Sequence, residues 1–180
     1  MADTGTVKIK TERLLLRKMN LFDLPFARRW YCDRRVSRFS QGKEIKPLSD
    51  LFNFFARRIY NYYFKRRKSY FWWAICKDNR MIGFVGLNGK VKSDTLSLYY
   101  MLSPDYWNKG YTKEAVSAVC EYIKTQNVKR LIISCDSNNI ASSRIAKACG
   151  FKYIETRKNH YHYQDGRTGN CEIYIIDLKQ

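Results

Sequence analysis

A chain of 180 residues with 45% hydrophobic content can bury one full apolar core. No apolar run is long enough to cross a bilayer and MADTGTVKIK lacks the apolar segment of a secretion signal, so the cytoplasm is the expected compartment. The net charge of +18 is uneven, since residues 1–68 hold 18 of the 34 Lys and Arg but 6 of the 16 acidic residues. Such a basic half attracts a polyanion, whether a phosphate-rich cofactor, RNA or an acidic protein surface; the alternative is a solvated lysine-rich surface with no partner.

In chain order, Val7 to Lys18 contains TERLLLRKM, in which Leu14 and Leu16 alternate with Leu15 and Arg17 as in a first strand. Asn20 suits the cap of a helix over residues 21–35, with Asp23 three residues on. Leu24, Ala27 and Tyr31 would face inward, and Arg28, Arg29, Arg34 and Arg35 would face water. Gln41-Gly42 and Pro47 mark a loop, and Ser49 would cap a second helix over residues 50–65. Leu51, Phe52, Phe55, Ile59 and Tyr62 give its apolar stripe, while Arg57, Arg58 and the run Lys65-Arg66-Arg67-Lys68 make its outer face basic. Strands over residues 70–76 and 81–88 join at the turn Asp78-Asn79-Arg80.

The next stretch organises the chain: LYYMLSPDYWNKGYTKEAVSA, Leu98 to Ala118. A strand over residues 95–102 breaks at Ser103-Pro104-Asp105 and passes through the loop Asn108-Lys109-Gly110. Thr112 suits the cap of a helix whose inner face holds Ala115, Val116, Val119 and Ile123. Free N–H groups that open a helix cradle an anion, because unpaired donors and the positive helix end point at the ligand together. Lys109 and Lys113 add formal charge.

A strand over residues 130–135 follows, then a helix that Asn139 caps and Gly150 ends. Strands over residues 151–162 and 171–179, split by Gln164-Asp165-Gly166, close the chain. With no repeat, low-complexity run or linker, residues 1–180 read as a single domain. The expected fold class is α/β (α+β), a mixed, mostly antiparallel sheet of about seven strands flanked by about four helices. The cysteines at 32, 76, 120, 135, 149 and 171 form no CxxC pair and read as buried thiols. His160 and His162 stand two apart with no third ligand nearby, so no metal site is expected.

The order of elements and three motifs resemble the GNAT superfamily of acetyl-CoA-dependent N-acetyltransferases, in particular the branch typified by ribosomal-protein N-terminal acetyltransferases of the RimJ/RimL type. TERLLLR resembles the opening strand of that branch, YYMLSPDYWNKGYTKEA its acetyl-CoA loop, and NNIASSRIAKACGF its second motif. The family loop Gln/Arg-x-x-Gly-x-Gly/Ala falls on Trp107, Gly110 and Thr112, where Thr112 is bulkier than usual. The resemblance implies that backbone groups of Asn108, Lys109, Gly110, Tyr111 and Thr112 hold the pyrophosphate of acetyl-CoA. Met101 and Leu102 would pair with the pantetheine arm, with the Met101 N–H near the thioester carbonyl. Asn139 would bond the arm, and Lys147 would reach a CoA phosphate.

Acyl transfer to an amine needs a base, an oxyanion donor and an acid for the leaving thiolate, without a covalent enzyme intermediate. The resemblance makes Ser142 the acid, in competition with an unassigned tyrosine, and Glu155 or Glu172 the base. Glu114 reads as a helix-dipole partner. The expected reaction is direct acetyl transfer to a primary amine, with a ribosomal-protein-like N-terminus as acceptor, by a cytoplasmic monomer or homodimer. The alternatives are a small-molecule amine acetyltransferase acting on an amino sugar or polyamine, and a basic module that contacts RNA or the ribosome through residues 57–68.

Overall fold

The stretch read as one opening strand folds as two. In the computed structural model, which describes residues 7–39, 48–63, 71–89, 94–126, 128–163 and 166–178, β1 (Ile9–Lys10) pairs antiparallel with β2 (Leu15–Arg17). Thr11 closes the turn between them: its N–H donates to the Leu14 carbonyl at 3.0 Å, and its hydroxyl accepts the Leu14 N–H at 3.0 Å. A short hydroxyl side chain that bonds its own backbone competes with the strand ladder, so the alternation breaks there.

The first helix is likewise interrupted. Asn20 precedes a single 3-10 turn, Leu21–Asp23, before α1 (Leu24–Tyr31) and α2 (Arg34–Ser37). Asp33 ends the run because its carboxylate accepts the Arg35 N–H at 2.8 Å and so caps a new helix. The buried Asp23 carboxylate accepts the Arg17 guanidinium fork at 2.6 and 2.8 Å and the Asn20 N–H at 2.9 Å. Next, α3 (Leu48–Tyr63) begins one residue ahead of Ser49. Leu51 and Phe55 are buried, but Phe52, expected in the same stripe, is 60% exposed. Arg58, expected to face water, lies 3.5 Å from the Phe54 ring centre and 4.1 Å from that of Trp72. The loop at 41–47, the basic run 65–68 and Tyr70 fall outside the described residues.

The remaining elements are β3 (Phe71–Lys77), β4 (Arg80–Asn88), β5 (Thr95–Leu102), α4 (Tyr111–Lys124), β6 (Arg130–Asp136), α5 (Ile140–Ala148), β7 (Lys152–His162) and β8 (Thr168–Asp177). The described residues therefore form a sheet of eight strands in the order β1-β2-β3-β4-β5-β6-β8-β7, with five α-helices. Neighbouring strands are antiparallel except β5 and β6.

That parallel pair sets up the site. It covers only Thr95↔Arg130, Leu96↔Leu131 and Ser97↔Ile132, yet β5 runs on to Leu102 and β6 to Asp136. The sheet splits beyond that point. One face is covered by α4 and α5 over a core that includes Leu98, Leu131, Val116, Val119 and Ala146; the other is covered over β3 and β4 by α1 and α3, through Trp30, Leu51, Phe55, Trp72 and Phe84. Truncating a wholly buried leucine such as Leu131 costs about 2–5 kcal/mol, so the packing holds both arms of the split in place.

Candidate active site

Alternation along β5 decides which residues face the split. The Ser103 N–H donates to the Ile82 carbonyl of β4 at 2.8 Å, and Met101 sits opposite Phe84. Main-chain groups of residues 101 and 103 therefore turn toward β4, and those of Tyr100 and Leu102 turn away from it. Of the two residues expected to meet the pantetheine arm, Leu102 faces the split through its backbone and Met101 does not. The Leu102 carbonyl accepts the Trp107 indole N–H at 2.8 Å, so Trp107 fastens the strand end.

Beyond β5, a 3-10 turn (Pro104–Tyr106) is closed by N–H donations from Tyr106 to Ser103 at 3.0 Å and from Trp107 to Pro104 at 3.1 Å. The next paired amide is that of Glu114, which donates to the Gly110 carbonyl at 3.0 Å. From Asn108 to Lys113, no main-chain N–H has a protein acceptor among the described residues. Asn108 at φ 58° and Gly110 at φ 79° are left-handed, and alternating handedness makes successive amides converge on one concavity. The helix starts at Tyr111 with Gly110 as its cap, so Thr112 lies inside the first turn rather than before it. The Tyr111 side chain is buried, with the Arg13 guanidinium over its ring at 4.7 Å.

The turn at Thr11–Leu14 braces this loop. Glu114 accepts the Thr11 hydroxyl at 2.6 Å, the Arg13 N–H at 2.9 Å and the Arg13 Nε at 2.7 Å. Arg13 Nη1 donates to the Lys109 carbonyl at 3.0 Å. Burial alone would raise the Glu114 carboxyl, but the bonds from Thr11 and Arg13 outweigh it and hold the group below its ordinary range. Glu114 is thus tied to the opening strands and not available as a base. Lys109 Nζ folds back onto the Asp105 carbonyl at 2.8 Å.

Across the split, the Asn139 side-chain oxygen accepts the Ser142 N–H at 3.2 Å and caps α5. The same side chain carries two amide N–H donors besides. The Ser142 hydroxyl lies 2.7 Å from the Tyr100 hydroxyl, which also donates to the Ser142 carbonyl at 3.1 Å. Burial pushes the Tyr100 phenol far above its ordinary value, against a smaller pull from Ser142, so Tyr100 keeps its proton at neutral pH. The buried Cys135 thiol is pushed up to about 11, by burial first, with the Ser142 hydroxyl drawing it down. Tyr100 singles itself out from the other tyrosines by spanning the split to the expected acid. In the sequence it is the one polar residue on the Leu98–Tyr100–Leu102 face of its strand.

Two expected residues lie apart from this group. Glu155 is on β7, separated from β6 by β8, and its carboxylate is held by Arg157 at 2.7 Å. Lys147 is exposed on α5. Glu172, the other candidate base, accepts the Tyr174 hydroxyl at 2.6 Å. No cluster of three His, Cys, Asp or Glu among the described residues could hold a metal.

A sheet split between two parallel strands, with an unpaired amide loop where one strand meets a helix, defines an α+β domain built around an anion cradle. Residues 13–152 match the family described as an acetyltransferase (GNAT) domain, and the chain belongs to that family. A relative in Schizosaccharomyces pombe, an uncharacterized N-acetyltransferase, is 40% identical over 72 residues, which span 39% of each chain. The similarity to that relative therefore covers well under half its length. Among solved structures, an acetyltransferase of the GNAT family from Bacillus anthracis superposes with a TM-score of 0.84 at 21% identity, covering 97% of this chain and all of the other. A ribosomal-protein-S5-alanine acetyltransferase from Vibrio fischeri gives 0.82 at 16% identity over 97% and 98% of the two chains. A spermidine N-acetyltransferase from Vibrio cholerae, in complex with CoA and spermine, gives 0.78 at 15% identity over 93% and 97%. These likenesses carry the fold. No helix among the described residues is long and apolar enough to cross a membrane.

Proposed function

We propose that this chain transfers acetyl from acetyl-CoA to a primary amine within a ternary complex, and that the acceptor is a protein N-terminus of the ribosomal-protein kind. The observation that carries the reading is the run of amides from Asn108 to Lys113, unpaired beside an unpaired strand edge. Asn108, Lys109, Gly110 and Lys113 are exposed, so a ligand can reach these donors, and a diphosphate satisfies them without requiring particular side chains.

Acetyl-CoA, when bound, supplies an activated acyl thioester. The loop amides hold its diphosphate, and Arg13 and Glu114 keep the loop in that shape. The main-chain groups of Tyr100 and Leu102 pair with the arm as a neighbouring strand would. The Leu102 N–H, which turns away from β4, is the oxyanion donor in this reading, a choice the alternation along β5 supports over Met101. The Asn139 side-chain amide donates to the arm. The attacking amine gives up a proton to solvent; Ser142 gives its hydroxyl proton to the departing sulfur and takes one from Tyr100, which solvent reprotonates as the products leave. No covalent intermediate on Cys135 is involved, because burial keeps that thiol protonated.

The N-terminal acceptor is supported by the likeness of TERLLLR and NNIASSRIAKACGF to the ribosomal-protein branch. Isothermal titration with acetyl-CoA tests the cofactor half, with micromolar binding expected; absence of heat at millimolar concentration overturns it. A panel that includes N-terminal peptides of ribosomal proteins, spermidine and amino sugars, read by free CoA release, tests the acceptor half. Turnover of spermidine alone would replace the peptide acceptor.

A further inference from the structure

Tyr99 is the aromatic side chain that β5 turns away from the α4 and α5 core, and it is 46% exposed. Its ring lies on the Trp72 indole, with centroids 6.5 Å apart and planes at 12°. Trp72 belongs to β3, so β4 runs between the two residues and their main chains stand two strand spacings, about 10 Å, apart. The rings meet because the residue between them is a glycine. Trp72 sits opposite Gly86, and Gly86 sits opposite Tyr99. A side chain at Gly86 would run into the Trp72 indole.

The layer behind Tyr99 is fixed in turn. Trp72 is buried, with the Phe84 and Phe54 rings at 5.4 and 5.7 Å and the Arg58 guanidinium 4.1 Å from its ring centre. The exposed part of the Tyr99 ring is therefore the surface of a packed aromatic stack, held in place before any ligand arrives.

That surface stands at the split. The parallel pairing of β5 and β6 ends at Ser97 and Ile132, two residues before Tyr99. Leu98 and Leu102 join the core under α4 and α5, whereas Met101 packs with Trp72 and Phe84 on the other face. Across the split, Leu131, Ile133 and Cys135 point into the α4 and α5 core, so Ile132 and Ser134 share the face of Tyr99. Tyr99, Met101, Ile132 and Ser134 are all uncharged, in a chain of net charge +18. On the acetyl-transfer reading, the loop at 108–113 and the α5 cap take acetyl-CoA from the α4 and α5 side. The amine then arrives over the face that Tyr99 occupies.

We propose that Tyr99 is a specificity-determining residue for the acceptor: its ring, backed by Trp72, takes the apolar side chain of the residue that carries the reactive amine. The proposal names the substrate class of the acetyl-transfer site and rests on that reading. An apolar side chain laid on the ring removes apolar surface of both partners from water. A charged one would lose hydration for which the uncharged neighbours return nothing. Because the stack already holds the ring, little freedom is lost on contact. Trp72 and Gly86 are positioning residues that act through Tyr99.

The test uses the full chain and two hexapeptides that differ only at the first residue, leucine or alanine. In titrations followed by nuclear magnetic resonance, the leucine peptide should shift the Tyr99 and Met101 amides and bind about tenfold tighter than the alanine peptide, as one apolar wall allows. Tyr99→Ala should bring that ratio within twofold, and Tyr99→Phe, which keeps the ring, should retain it. Acetyl-CoA affinity should stay within twofold in both variants. In turnover, the same preference should appear in KM rather than kcat. Peptides that leave Tyr99 unshifted, equal affinity for the two, or a ratio that survives Tyr99→Ala overturns the assignment. A wild type that prefers the leucine peptide through Tyr99 but does not bind acetyl-CoA keeps the platform and defeats the transfer reading.

Discussion

The two mouths of the split are made of different material. On the α4 side, the site consists of consecutive main-chain amides from Asn108 to Lys113, presented by one loop. On the opposite face the same two strands present side chains, Tyr99 and Met101 from β5 and Ile132 and Ser134 from β6. A backbone site needs only a loop shape, so most side-chain changes leave it intact. A side-chain site changes its preference with each substitution. Cofactor recognition in this fold should accordingly be hard to remove, and acceptor recognition easy to redirect.

The contrast can be broken most sharply at Gly110. Gly110→Glu forces a side chain onto a residue at φ 79° and puts a carboxylate among the anion donors. Acetyl-CoA binding should fall below calorimetric detection, while circular dichroism still shows a cooperative melt. Retained affinity would mean that the amides are not the phosphate site. Tyr100→Phe comes next, with kcat down about a hundredfold and acetyl-CoA affinity little changed, as for loss of a general acid. A kcat equal to wild type would leave Ser142 to act without it.

Arg13→Ala tests whether the backbone site depends on its brace. Loss of the bonds to Glu114 and Lys109 should weaken acetyl-CoA about tenfold, since charge-assisted bonds contribute about 1.5–3 kcal/mol and this one is partly exposed. Unchanged affinity would mean that the loop holds its shape alone. The smallest effects concern pH. Because the Tyr100 phenol is raised by burial, the active protonated form persists through the ordinary tyrosine range, so kcat should not decline until pH passes about 10. Glu114 is lowered, so its stabilisation of the loop is complete above the ordinary carboxylate value and fades as pH falls below about 4. Acetyl-CoA affinity measured down a pH series should follow that fade; a loss already evident near pH 6 would point to another group.

The same division governs what could be read before the fold was known. The strand at 95–102, the loop and the α5 cap follow from local signals: a run rich in leucine and tyrosine, a glycine two residues past an asparagine, an asparagine ahead of a helix. Handedness within the loop placed the helix start at Gly110 rather than Thr112, which residue type alone does not decide. The Thr11–Leu14 turn was read as strand because Leu14, Leu15 and Leu16 alternate through it, and only the side-chain bonds of Thr11 reveal the turn. The Met101 N–H, expected near the thioester carbonyl, turns toward β4, because in a strand one residue reverses the direction of the main chain. Glu155 rests on resemblance alone, and the strand order puts β8 between its strand and β6. Tyr100 meets Ser142 across 42 positions, and no local pattern carries such a pairing.

The bond from Arg13 to Glu114 joins residues 101 positions apart, which has a kinetic consequence. Contacts that close so long a span form late, because the chain must first lose the entropy of that closure. During refolding the sheet can assemble before the loop at residues 108–113 is tied down, so on the proposed function capture of acetyl-CoA should lag behind the return of buried tryptophan fluorescence. Ligand present from the start would then hasten only the final phase, in which the oldest part of the nascent chain secures a loop made much later.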